Sequence, residues 1–152
     1  IPQGIANTLL AVNQMGVKWE DIDKDLQDKL LRSVDRNAVD FNSICISSIL
    51  LSFDGMGLEI VDLKNTRNSL LDAIARLCPT FTSRHVLICA EALDHIGFFW
   101  KDLSGRLQME FWNSIKQSYT TLKVHERGML TLRLSRLSMP SDMLESLDSL
   151  MQ

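Results

Sequence analysis

Between residues 114 and 136 the 152-residue chain places Lys116, Lys123, Arg127, Arg133 and Arg136 against a single acid, Glu126, a local charge of +4. Cations at that density pair with phosphate oxygens and release counterions when they do so. These five are the candidate nucleic-acid-binding residues, with His125 and Tyr119 in the same stretch; a solvated helix face is the plainer alternative. Trp19, Trp100 and Trp112 offer rings on which bases could stack. Asn13, Asp54, Asp94 and Ser135 form a polar row that could read bases, although two aspartates would repel phosphate.

Other chemistry is less well supplied. His85 and Cys89 stand four apart, on one face of a helix, with Cys78 and His95 not far in sequence. Tetrahedral zinc usually takes tighter ligand pairs, so no metal site is assigned. Acidic pairs such as Asp23 and Asp25 read as a charged helix start. No Gly-rich phosphate loop, nucleophile elbow or metalloprotease helix motif occurs. The expectation is a non-enzymatic protein with no catalytic residues, no cofactor and no small-molecule substrate. Cys45, Cys78 and Cys89 are an odd number without motif spacing, which fits reduced thiols packed as small hydrophobes.

The elements that carry these residues repeat. Gly16, Gly57 and Gly97 close three similar segments, Ala6–Gly16, Ser47–Gly57 and Leu87–Gly97, and lie 41 and 40 residues apart. Trp19 and Trp100 are 81 apart, as are Leu26 and Leu107. Leu30-Leu31, Leu70-Leu71 and Phe111-Trp112 share a register, followed by Val34, Ile74 and Ile115. The lead-in Asp40-Phe41-Asn42-Ser43 matches Thr80-Phe81-Thr82-Ser83, with Thr121-Leu122-Lys123-Val124 as a weaker version. A fourth unit, Glu126 to Met151, has Ser138 in place of the glycine. Recurrence of Trp19 and Trp100 at one repeat position favours packing over base stacking.

Each unit reads as two helices. Ile46, Ile49, Leu50 and Phe53 recur at three- and four-residue steps, and Ile22, Leu26, Leu30 and Val34 step by four. The glycines suit the left-handed conformation that ends a helix. Asp21, Asp62 and Asp102 stand where they could cap the second helices, and Asp142 with Glu145 suits a capping box for the last one. No alternating run with hairpin-turn chemistry predicts a strand. A helical hairpin of this size cannot bury its apolar faces alone. The expected fold is therefore all-α: an α-solenoid of about four stacked hairpins with a 40–41 residue period, in units near 1–40, 41–80, 81–121 and 122–152. Residues 1–152 read as a single such segment of a longer chain, with Ile1 and Ile5 meeting a missing neighbour.

Composition sets limits. Sixteen basic against nineteen acidic residues give a net charge of −3, so a strongly basic nucleic-acid binder is not indicated. No apolar run reaches the length of a membrane span, and no secretory signal is visible.

The segments Phe81 to Leu103 and Ile5 to Ile22 resemble octotricopeptide- or heptatricopeptide-type helical repeats, often found with a RAP domain. The resemblance implies RNA binding in organellar gene expression, in the mitochondrion or alternatively the plastid. It also implies partners that are ribosomal RNA, an organellar transcript or proteins of a large ribonucleoprotein assembly, including an organellar ribosome. The alternative is a HEAT-like protein–protein scaffold without direct RNA contact.

Overall fold

The computed structural model describes residues 1–152, which form helices and the turns between them with no strand. α1 (Pro2–Gln14) and α2 (Lys24–Asn37) make the first hairpin. The second consists of α3 (Ser43–Met56), the one-turn α4 (Ile60–Leu63) and α5 (Thr66–Leu77). The third is α6 (Ser83–Ile96) with α7 (Gly105–Tyr119), and the fourth α8 (Val124–Arg136) with α9 (Ser141–Ser149). First helices pack in the order α1, α3, α6, α8, and second helices in the order α2, α5, α7. The result is two helix layers stacked along one axis, an α-solenoid. The short α9 packs on α8.

Local chemistry sets the helix boundaries. Asn42 accepts the Cys45 N–H at 2.8 Å to start α3, and the Thr82 hydroxyl accepts the His85 N–H at 3.3 Å to start α6. Lys123 has no acceptor to offer at the start of α8, so Glu126 turns back and accepts the Lys123 N–H at 2.9 Å. The first helices end at Gly16, Gly57 and Gly97, with φ of 77°, 77° and 110°. At the fourth site Ser138 takes φ of 60°. The backbone turn is thus kept where the glycine is not, at a steric cost that glycine avoids.

The second helices begin later than Asp21 and Asp102 suggest. Both residues instead end short 3₁₀ turns, Trp19–Asp21 and Trp100–Asp102. Those turns fold the tryptophan under the hairpin before the helix can start. The caps are Asp23, accepting the Leu26 N–H at 3.0 Å, and Ser104, accepting the Leu107 N–H at 3.1 Å. In the second hairpin Ile60 holds the tryptophan position and the turn becomes α4, where Asp62 accepts the Glu59 N–H at 2.9 Å. Asp142 and Glu145 form no capping box. Pro140 is the N-cap of α9, so Asp142 already lies inside the helix.

One continuous apolar core runs through all four hairpins. Trp19 meets Phe53 edge-on at 6.0 Å between ring centres, and Trp100 stacks on Phe111 at 6.3 Å. Both tryptophans are buried, so their recurrence reflects packing. Each fully buried Leu, Ile or Phe contributes about 1.5–3 kcal/mol of transfer free energy. Ile5 is part of this core, while Ile1 is exposed. Leu26 is also exposed, whereas its counterpart Leu107 is fully buried.

No helix is long and apolar enough to cross a membrane. Cys45, Cys78 and Cys89 are all buried and unbridged. Desolvation pushes the Cys78 thiol up to about 12 and that of Cys89 well above its ordinary value.

Candidate interaction surface

The polar row at Asn13, Asp54 and Asp94 lies near the end of each first helix, and every member meets the following hairpin. Asn13 lies against Gly55, so close that a Cβ there would collide with its amide. Lys18 crosses the same seam and donates to the Gly55 carbonyl at 3.0 Å. Asp54 pairs with His95 at 2.7 Å. Asp94, with its side chain almost wholly buried, receives Arg133 at 2.9 Å and Arg136 at 2.9 Å. One register position therefore builds a ladder of inter-hairpin contacts. Ser135, last in the row, is exposed.

This ladder changes how the basic stretch must be read. Arg133 and Arg136 belong to α8 but turn toward α6, where Asp94 binds both and Glu91 lies 3.5 Å from Arg133. Arg127 donates to the Leu122 carbonyl at 2.7 Å and sits 6.0 Å from the Tyr119 ring. Lys116, on α7, holds its ammonium 5.6 Å from the Trp112 ring centre. Lys123 is exposed at the α8 N-terminus. The five residues do not share one face. Two are paired with acids some 40 positions earlier in the chain, outside any local charge count.

His85 and Cys89 are not brought together as ligands. The His85 ring nitrogen Nδ1 accepts the Thr82 N–H at 3.2 Å, and Cys89 is fully enclosed. Desolvation, helped by the Arg84 charge, lowers the His85 pKa. A different donor set forms across the α3–α6 seam, where ligand atoms of Asp54, Glu91 and His95 lie within 4.8 Å of one another. Glu91 and His95 are one helical turn apart in the sequence. Asp54 joins them only through the repeat, 41 residues before His95.

The second-helix layer carries a groove of about 360 Å³ whose lining includes Asp35, Asp72, Arg76 and Arg106. Arg76 is committed there to the Ala38 and Phe41 carbonyls, both at 3.0 Å. Asp35 accepts from the Thr66 hydroxyl at 3.2 Å through one oxygen, and its other oxygen is buried without a partner.

The fourth hairpin leaves some apolar side chains exposed. Ala6, Ser47, Leu87 and Gly128 are equivalent by register, and cover declines along them from buried to exposed. Beside Gly128 on α8, Met129 and Leu132 are exposed, as is Met109 on α7. Trp112 is half-buried, although its counterpart Leu31 is buried between second helices.

A family model described as a protein of unknown function (DUF1601) matches residues 2–9 and 15–49. The matched part runs from α1 through the first half of α3, close to one repeat, and is a similarity over a minor share of the chain. No curated protein and no solved structure matches the chain.

Proposed function

We propose that this α-solenoid is a non-enzymatic scaffold that binds protein partners, and that the exposed Met129 and Leu132 of α8 lie on one contact surface. The observation that carries this reading is the internal pairing of Arg133 and Arg136 with Asp94. It withdraws the strongest part of the basic stretch from service to phosphate. The net charge of −3 argues in the same direction. Exposed apolar side chains such as Met129 and Leu132 suit a packed partner helix or loop better than an extended polyanion.

The test uses a partner captured on the immobilised chain and then identified and purified. Its binding should survive raised salt and fall at least tenfold in the Met129→Glu/Leu132→Glu double variant, with the helical circular dichroism unchanged. Binding indifferent to that double change would remove this surface from the proposal.

RNA association is the second reading. It draws support from the resemblance to octotricopeptide- and heptatricopeptide-type repeats, and from Lys116 beside the half-buried Trp112, a cation and ring that could stack on a base together. An organellar location belongs to that same reading. Loss of RNA binding in Lys116→Ala and Lys123→Ala, with protein binding retained, would favour it.

A further inference from the structure

We propose that Asp54, Glu91 and His95 form a binding site for a divalent transition-metal ion, zinc being the best fit, on the seam between the second and third hairpins. Their ligand atoms lie within 4.8 Å of one another. Glu91 and His95, four residues apart on α6, project from one face as a chelating pair. Asp54 on α3 adds a third donor from the neighbouring helix, already 2.7 Å from the imidazole. The set is one nitrogen and two carboxylates, suited to zinc with a fourth position left to water.

Charge and access fit as well. Two carboxylates and a neutral imidazole balance a divalent cation. Side-chain exposures of 17% for Asp54, 37% for His95 and 41% for Glu91 leave an open route from solvent. Asp94 holds both nearby guanidiniums, Arg133 and Arg136, at 2.9 Å and offsets one of their two charges. Arg133 reaches Glu91 only at 3.5 Å, so this carboxylate can turn to a metal while Arg133 keeps its closer partner. An ion here would tie α3 to α6 and stabilise the solenoid at its middle seam.

The experiment is calorimetric titration of the whole chain with zinc chloride at neutral pH in a non-chelating buffer, alongside thermal unfolding with and without zinc. The expected result is one ion per chain and a raised melting temperature. Affinity should fall at least tenfold in Glu91→Gln, in His95→Gln and in Asp54→Asn, and stay unchanged in His125→Gln, which alters an exposed histidine elsewhere. Absence of binding to the unaltered chain overturns the site. So does binding that survives any of the three ligand changes, or that depends on His125. Circular dichroism of each variant without zinc separates a lost ligand from a lost fold: a variant that unfolds is replaced by the alanine change at the same position.

Discussion

At the residue scale, Asp94 ties the third hairpin to the fourth. Its nearly buried carboxylate accepts from two arginines of the next hairpin. Replacing it leaves Arg133, itself mostly buried, without its main partner. Asp94→Ala should lower unfolding stability by about 1–3 kcal/mol, the usual range for hydrogen bonds to charged groups. Arg136→Ala should cost under about 1 kcal/mol, because Arg136 is largely exposed. Urea unfolding of both variants checks the order, and equal costs would contradict it. His85 supplies a pH dependence. Its pKa is lowered in the fold, mainly by desolvation, so the unfolded chain binds the proton more readily. That stabilisation is complete above the ordinary histidine range and is lost as pH falls through about 6.5 toward the folded value. Unfolding measured at about pH 7.5 and about pH 5.5 should show a smaller acid loss in His85→Asn than in the unaltered chain. The remaining acid loss belongs to the other groups. Local patterns made the glycines and the buried cysteines readable from the sequence. The Asp94 pairing and the Asp54–Glu91–His95 set were not, because each joins residues from different hairpins.

At the scale of elements, the hairpin turn is the feature the sequence states most clearly, and Ser138 is its exception. Gly57 has open space where a Cβ would go, so Gly57→Ala isolates the backbone cost of φ at 77°. The expected loss is about 1 kcal/mol. Ser138→Gly, at φ of 60°, should stabilise the chain, by less than that because glycine also loosens the unfolded state. Opposite signs in a denaturant titration support one shared turn, and destabilisation by both changes would refute it. The aspartate positions misled for a physical reason. Register places Asp21 and Asp102 after the glycine, but burying Trp19 and Trp100 takes a 3₁₀ turn first, and this delays the helix by several residues. Periodicity alone does not reveal that delay. It does reveal Leu30, Val34, Ile46 and Phe53, all of them in the core.

For the whole molecule, the repeat carries the architecture. Four hairpins stacked at a 40–41 residue interval were legible because glycine, tryptophan and apolar pairs recur together. The surface was less legible, since a charge count along the chain cannot see acids that stacking brings alongside. The stretch 114–136 carries +4 in sequence, yet in the fold Glu91 and Asp94 of α6 stand against its last two arginines. The most direct test of the scaffold reading is fluorescence anisotropy of a labelled single-stranded RNA titrated with the whole chain across a salt series. A chain whose arginines are engaged internally should show no saturable binding at about 0.15 M salt and only a shallow salt dependence below it. Saturable binding with a steep salt slope, reduced when Arg127, Arg133 and Arg136 are changed together to alanine, would contradict the account.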